Sequence, residues 1–385
     1  MQVYLDNHAT TPVDPRVFEA MAPYFLTKFG NPASSSHSFG WEAAEAVRVA
    51  RAQVAALIGA QASEIVFTSS ATESNNLAIK GVVGGRGGGH LIVTTIEHSA
   101  VLDPVARLES KGAAGAAGVA VTRLGVDREG RIRMHELAAA LRPETVLVSI
   151  IAANNEIGVV QDMEAIGALV HAHGALLHSD ATQAVGKIPV DVNAWRVDLL
   201  SLSGHKLYAP KGVGALYVRA DTPLLCQLDG GGHERGLRSG TLNVPGIVGL
   251  GEAARLAQEE MAVESVRIAR LRDRLREAIT GGLEGVRVNG STDHRLPQNL
   301  HLTFEGVEAE LLMMSAHEIA VSSGSACTSA KRASSHVLRA LGMSDAEAHC
   351  SLRFGLGRFT TAAEIDYAAT RIVEAVGQLR PLSLP

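Results

Sequence analysis

The run Leu199-Leu200-Ser201-Leu202-Ser203-Gly204-His205-Lys206 is apolar over the length of a strand and then stops on small and polar residues. A lysine just past a buried strand ordinarily points into water. The chemical alternative is an amine that bonds an aldehyde as an imine, for which it must shed its proton. Partial burial beside dipoles brings a lysine pKa down from about 10.4 towards neutrality. Lys206 by itself does not decide between the two. Asp180, which closes Gly174-Ala175-Leu176-Leu177-His178-Ser179, supplies a companion. An aspartate there is often a helix cap. It is also the acid that keeps a pyridine nitrogen protonated, so that the ring can accept electrons. Together they point to pyridoxal 5'-phosphate (PLP), and Gln183 is placed to donate to the phenolic oxygen of that ring.

Further upstream, Glu64-Ile65-Val66-Phe67-Thr68 reads as a strand, Ser69-Ser70-Ala71-Thr72 as a turn and Leu77-Ala78-Ile79-Lys80 as helix. Small residues before a helix start leave free amides that attract phosphate, and Thr72 adds a hydroxyl. A plain Ser or Thr cap has the same spelling. Gly84-Gly85-Arg86-Gly87-Gly88-Gly89 lacks the Gly-Lys-Ser/Thr of a phosphate loop and is expected to be a flexible surface connection. His98 follows the strand His90–Ile96 and can stack on a flat ring or shuttle a proton, although such a histidine is more often structural. Asn154-Asn155-Glu156 places polar groups after the strand Thr145–Ile151, where a sheet would open onto a cleft.

Strands and helices alternate around these residues. Ala43, Ala46, Val47, Ala50, Val54, Leu57 and Ile58 recur at helical spacing, with Gly59 as the stop. A strand over Val119–Leu124 and helices near Pro15, over His135–Leu141 and over Met163–His173 extend the pattern. The alternation predicts an α/β fold with a mainly parallel central sheet. In such sheets ligands gather beyond the carboxyl ends of the strands. His98, Asn155, Asp180 and Lys206 each come just after a predicted strand. A long helix is expected from Glu252 to about Ile279, then a strand over Leu300–Phe304 and helices near Leu311 and Val337.

Composition removes several classes of function. Of 385 residues 46% are hydrophobic and 19% charged, which excludes a disordered chain and allows one large core with a smaller second domain. A net charge of -5 with no block of like charge offers no footprint for nucleic acid. The apolar runs fall well short of the roughly 20 residues of a membrane span. Met1-Gln2-Val3-Tyr4-Leu5 has no basic and apolar leader, and Cys226, Cys327 and Cys350 have no metal-ligand spacing and cannot all pair. A reducing cytoplasm is the expected location.

Thr72, His98, Asp180-Ala181-Thr182-Gln183 and Ser203-Gly204-His205-Lys206 resemble the PLP enzymes of aminotransferase class V. Gly230-Gly231-Gly232-His233-Glu234-Arg235-Gly236-Leu237-Arg238-Ser239-Gly240-Thr241 and Val321-Ser322-Ser323-Gly324-Ser325-Ala326-Cys327-Thr328-Ser329-Ala330 resemble the cysteine desulfurases of iron–sulfur cluster assembly, the housekeeping long-loop branch above all. The resemblance runs from Tyr4 to about Leu379. It implies fold type I of the PLP-dependent transferases, with a large PLP-binding domain over 13–255. A smaller α+β domain is implied over 1–12 and 256–385, carrying a mobile cysteine loop at about 321–335. It implies Lys206 as the imine lysine, Asp180 on the pyridine nitrogen and Gln183 on the ring hydroxyl. Ala71, Thr72, Ser203 and His205 would contact the phosphate, joined by Thr241 from the second subunit of a homodimer. His98 would stack on the ring and serve as acid or base, and Asn155 with Arg353 would hold the substrate carboxylate. Arg353 faces away from Leu352 and Phe354 in Ser351-Leu352-Arg353-Phe354-Gly355, as an exposed strand arginine or as a guanidinium clamp.

Cys327 lies in a run of Ser, Gly, Ala and Thr with almost no apolar anchor, so its segment is expected to be mobile. Mobility suits a thiolate that takes sulfur at a cofactor and carries it out as a persulfide. Lys331 and Arg332 stand near enough in sequence to favour the thiolate, while Cys226 and Cys350 lack this setting. The expected activity is conversion of L-cysteine to L-alanine with sulfur left on Cys327, for a cluster scaffold and other acceptors. A transient iron–sulfur cluster on Cys327 is also implied. Selenocysteine lysis, transamination on the same scaffold and a non-catalytic sulfur relay are the alternatives. Long-loop members often carry a carboxyl-terminal tail that docks the scaffold; the resemblance does not extend to that tail at Arg380-Pro381-Leu382-Ser383-Leu384-Pro385.

Overall fold

Ile65–Thr68, Leu199–Ser203 and Gly214–Val218 are buried at every residue, and a run with no exposed face can be hidden only in a sheet covered on both sides. The computed structural model, which describes residues 1–113, 119–323 and 334–380, builds that sheet. Its strands are β2 (Ile65–Thr68), β3 (Gly89–Thr94), β4 (Val119–Leu124), β5 (Thr145–Ser149), β6 (Leu176–Asp180), β7 (Leu199–Ser203) and β8 (Gly214–Val218); β1 (Val3–Tyr4) lies elsewhere. Their spatial order is β2-β8-β7-β6-β5-β3-β4. Strands β7, β6, β5, β3 and β4 are mutually parallel, and β8 alone is antiparallel to its neighbours β7 and β2. Two antiparallel steps restore the direction, so β2 again ends at the edge where β7 ends.

Alternate residues of these strands enter opposite cores, as the two-residue strand period requires. Ile65, Phe67, Leu200, Leu202, Ala215 and Tyr217 pack on one side, and Val66, Leu199, Leu216 and Val218 on the other. The first side is covered by α1 (Pro15–Met21), α3 (Ser38–Leu57), α7 (Met163–His173) and the first half of α8 (Val244–Gly282). The second is covered by α4 (Ala71–Arg86) and α5 (Ser99–Ala113). Burial of each large apolar side chain contributes about 1.5–3 kcal/mol, so two such layers fix the sheet. Short helices α2 (Pro23–Leu26) and α6 (Met134–Ala140) lie in the connections.

The strands expected over His90–Ile96 and Thr145–Ile151 end two residues early, at Thr94 and Ser149, and two helix boundaries differ more. Gly84 and Gly85 are helical rather than part of a surface connection, because buried Leu77, Ile79, Val82 and Val83 carry α4 through them to Arg86. Helix α8 begins at Val244, before the expected Glu252, with Pro245 in its first turn and the Asn243 side chain accepting from Gly246 N at 3.1 Å.

A second apolar cluster gathers around a smaller antiparallel sheet of β12 (Ser322–Ser323), β13 (Ser351–Gly355), β10 (Asn299–Phe304) and β9 (Val286–Val288), in that order. It includes Ile268, Leu275 and Ile279 of α8, Leu312 of α9 (Ala309–Ser315) and Ile365, Ile372 and Val376 of α12 (Ala362–Leu379). Strand β1 pairs parallel with β11 (Ile319–Ala320), while α10 (His336–Ala340) and α11 (Asp345–His349) precede β13. Residues 324–333, with Cys327, Lys331 and Arg332, lie outside the described residues.

The amino-terminal segment crosses from this cluster to the large sheet. Leu5 O accepts from Gly355 N at 2.6 Å, and Asn7 N and Nδ2 both donate to Gly355 O, at 3.0 and 2.9 Å. A Cβ on Gly355 would lie 2.9 Å from His8 N, closer than real Cβ atoms come, and 3.1 Å from Asn7 N, a tight contact. Gly355→Ala is therefore expected to lift this segment and destabilise the protein by about 1–3 kcal/mol. A lower urea midpoint with an unchanged slope would register it.

Candidate active site

Parallel strands deliver their following loops to a common edge, and the residues expected in the site arrive there. Asp180 is the last residue of β6, and Lys206 ends the single 3-10 turn Gly204–Lys206 after β7. Strands β6 and β7 are hydrogen-bonded neighbours, with Asp180 opposite Ser201. Asn155 follows β5 and His98 follows β3, one and two strands beyond β6. On the other flank Thr68, Gly214 and Ser203 lie in register across β2, β8 and β7. A Cβ on Gly214 would meet the Ser70 carbonyl carbon at 2.8 Å, so glycine lets the turn before α4 close onto β7. Ala71 and Thr72 open α4 there, Ser70 capping it through an acceptance from Glu73 N at 3.3 Å. Ser203 is buried, Thr72 exposed, and Thr241 is exposed on the segment leading into α8.

Asp180 is 4% exposed, and both its oxygens are engaged: Oδ2 accepts from Asn75 Nδ2 at 2.8 Å and Oδ1 from Thr182 N at 3.0 Å. Asn75 is fully buried on α4, and it holds the carboxylate from a position that no local spacing in the sequence indicates. Lys206 Nζ donates to the His8 carbonyl and, at 2.6 Å, to Ala9 O. Gln183 is buried and engages His8 twice: its Oε1 meets His8 Nδ1 at 2.9 Å, and its Nε2 donates to His8 O at 3.0 Å. His205 Nδ1 lies 3.1 Å from Thr10 Oγ1, and His205 O accepts from Thr11 N at 2.9 Å. The segment Asp6–Thr11 thus touches the site at several of its residues.

The histidines of this edge are held neutral. Burial is the largest cause of the lowered His98 pKa, with the charge of Lys206 adding to it and that of Asp180 opposing. Its Nδ1 accepts from Ala100 N at 3.1 Å, so the proton resides on Nε2. Burial, then Lys206 and Lys211, bring His205 down to about 4. His8 is lowered well below 6.5 by burial and then by Arg353. Asn299 Nδ2 donates to Glu156 O at 2.9 Å and faces His8 Nε2 at 3.1 Å. His8 Nε2 is therefore the acceptor and Nδ1 the donor.

Arg353 is not an exposed strand arginine: only 7% of its side chain is exposed. Its Nη1 donates to Asn155 O at 2.9 Å and its Nη2 to Asp6 Oδ1 at 2.9 Å, which ties β13 to the loop after β5. Arg353 Nε, Asn75 Oδ1 and Thr182 Oγ1 are buried with no hydrogen-bond partner among the described residues. An amine, a buried carboxylate, a helix start beside serine and histidine and a neutral imidazole on one sheet edge, with a guanidinium reaching it from the smaller sheet, match what PLP and an amino acid require. The donor set fits that cofactor.

Two carboxyls here lacked any signal in the sequence beyond adjacency to His98 and Asn155. Burial pushes Glu97 up to about 8, and Glu97 Oε1 accepts from Thr94 Oγ1 at 2.7 Å and Ile151 N at 2.8 Å. Burial likewise pushes Glu156 up to about 7, and Glu156 Oε2 accepts from Ser335 Oγ at 2.5 Å. His336 Nε2 lies 2.9 Å from Glu97 O, so both carboxyl-bearing loops touch the start of α10. Cys226 Sγ donates to Leu228 O at 3.1 Å, and burial pushes the Cys350 thiol up. Among the described residues no cluster of His, Cys, Asp and Glu could hold a metal ion, and no helix is long and apolar enough to cross a membrane.

Residues 3–368 match the family described as aminotransferase class-V. Cysteine desulfurase IscS of Anaeromyxobacter dehalogenans (strain 2CP-C) is 55% identical over 385 residues, covering 99% of this chain and 94% of that protein. A solved NifS-like protein superposes with a TM-score of 0.91 at 38% identity, over 98% of this chain and all (100%) of its own. SspA, solved in complex with cysteine, gives a TM-score of 0.82 at 38% identity, over 94% of this chain and 100% of that one. The chain belongs to the class V aminotransferase family of fold type I. Within that family its kin are the cysteine desulfurases of the IscS kind.

The buried Glu97 has a consequence for pH dependence. Between its ordinary pKa of 4.5 and about 8, the unfolded chain gives up a proton that the folded protein keeps. Stability therefore falls as pH rises through that window, by at most about 1.4 kcal/mol per pH unit for this group. Glu97→Gln is expected to flatten the decline, read as a Tm that drops less from pH 5 to pH 8 than in the unsubstituted protein.

Proposed function

We propose that this enzyme is a PLP-dependent cysteine desulfurase that converts L-cysteine to L-alanine and leaves the sulfur as a persulfide on Cys327. The observation that carries the reading is the convergence of the Lys206 amine, the buried Asp180 carboxylate and the buried Arg353 guanidinium about one sheet edge. Asp180, held by Asn75 and Thr182 N, would face the ring nitrogen, Gln183 the ring hydroxyl and His98 the ring face. Ala71, Thr72, Ser203 and His205 would take the phosphate, and Lys206 would carry the cofactor. When bound, PLP supplies an electron-accepting ring that stabilises negative charge at the substrate Cα.

The chain's own residues do the rest. Arg353 and Asn155 orient the substrate α-carboxylate, with a guanidinium fork suited to that geometry. Lys206 Nζ takes the Cα proton at the site where substrate has displaced it. His98, neutral with its proton on Nε2, is the second acid or base. Cys327 Sγ, as thiolate, attacks the substrate sulfur: an S–S bond forms, the Cβ–S bond breaks, and its electron pair stays with carbon. Protonation of that carbon gives alanine.

The products imply acceptors for the persulfide. We assign an iron–sulfur scaffold protein among them, and Cys327 as a transient ligand of the nascent cluster. The reading includes a homodimer, in which exposed Thr241 of each subunit reaches the phosphate of the other. It includes a cytoplasmic location, supported by free Cys226 and Cys350. The division into 13–255 and 1–12 with 256–385 is supported by the second apolar cluster and by the β1–β11 pairing.

The test is an absorbance titration of the purified protein with L-cysteine, with alanine and sulfide measured together. Cofactor absorbance that changes with cysteine and equimolar alanine is expected. Cys327→Ser keeps the cysteine-induced change and loses at least about 90% of reductant-dependent sulfide release, a cost of at least about 1.4 kcal/mol in barrier terms. Undiminished sulfide release by that variant would remove Cys327 from the chemistry; a titration without alanine would remove the desulfurase.

A further inference from the structure

Arg353 meets its partners across the whole length of the chain. Asp6, on the segment after β1, accepts from Arg353 Nη2 at 2.9 Å through Oδ1. The same oxygen accepts from Ser322 Oγ at 2.7 Å, in β12. Asp6 is itself held in place: its main-chain oxygen accepts from Tyr4 Oη at 3.2 Å and from Ala9 N at 2.9 Å. Arg353 Nη1 is fixed on Asn155 O, and Nε is buried with no partner among the described residues.

A long arginine side chain has many rotamers, and a fork-to-carboxylate contact needs one plane. Two anchors on different nitrogens define that plane. Asn155 O alone would leave the guanidinium free to rotate about a single hydrogen bond, whereas Asp6 supplies the second point. We propose that Asp6 is a positioning residue for substrate: it locks the plane of Arg353 so that the Nε side of the guanidinium faces the incoming α-carboxylate. This rests on the assignment of Arg353 to the carboxylate given above. It makes a sign prediction, because an aspartate that merely competed with substrate for the arginine would weaken binding, and its removal would tighten it.

The holoenzyme can be titrated through its cofactor absorbance with L-cysteine and with cysteamine, which has the same amine and thiol but no carboxylate. The unsubstituted enzyme should bind cysteine more tightly than cysteamine. Equal binding of the two would sink the Arg353 assignment itself, before Asp6 is in question. With that preference present, Asp6→Ala should raise Kd and KM for cysteine about ten-fold, equivalent to about 1.4 kcal/mol, leaving cysteamine within about two-fold and kcat within about three-fold. Asp6→Asn, which keeps an oxygen at the same place, should restore most of the loss. Ser322→Ala should leave KM for cysteine within about two-fold, since Arg353 keeps its aspartate. Should Asp6→Ala lose the cofactor, Asp6→Asn carries the same comparison, with about a three-fold rise for cysteine alone. An equal change for both ligands, or a fall in KM, would overturn the proposal.

Discussion

The site exists because β3, β5, β6 and β7 run in one direction. Parallel neighbours cannot be joined by tight turns, so β3, β5 and β6 are each followed by a crossover that begins at the same edge, and the loop from β7 to its antiparallel neighbour β8 begins there too. The polar residues that begin those crossovers are brought together without any of them being close in sequence. The one antiparallel strand, β8, does not disturb this, since β2 beyond it regains the common direction and brings the start of α4 to the same place. Chemistry and topology are in this sense one constraint: a lysine, an acid and a phosphate-binding helix start can be hundreds of residues apart provided each follows a strand of the same sheet.

Burial then sets the charge states. His8, His98 and His205 are all lowered, while Glu97 and Glu156 are raised, and in each the dominant cause is removal from water. The edge therefore carries few net charges for its number of ionisable groups. Asp180 and Arg353 are held by fixed partners, Asn75 and Thr182 N on the two carboxylate oxygens and Asn155 O and Asp6 on Nη1 and Nη2 of the guanidinium. A substrate with an amine and a carboxylate enters a site whose dipoles already point the right way, and little reorganisation is left to be done.

What was legible in the sequence follows from the range of the interactions. Strand runs and the residues that end them are local, and His98, Asn155, Asp180 and Lys206 could be placed on one edge from patterns of a few residues. Arg353 could be set on the face opposite Leu352 and Phe354, but its burial could not, because that depends on Asp6 and Asn155, 347 and 198 positions away. His8 and Asn75 were missed for the same reason: each acts on a partner more than a hundred residues distant, 175 for His8 with Gln183 and 105 for Asn75 with Asp180. The start of α8 and the end of α4 were misplaced where glycines lowered local helix propensity and packing overrode it.

Helix α8 bears on how such an enzyme can open. Its 39 residues span about 58 Å. Ile247, Leu250, Ala254 and Ala257 are embedded in the core of the large sheet, and Ile268, Leu275 and Ile279 in the core of the small one. Near its middle Glu264 meets Arg358 at 3.1 Å, and Arg358 also meets Asp14 at 2.7 Å, bracing the helix from both cores. A hinge between the two bodies would have to bend a continuous helix and break that brace together. Wholesale closure, the route many two-lobed enzymes take to exclude solvent, is thus mechanically costly for this architecture. Access and egress fall instead to short segments at the rim.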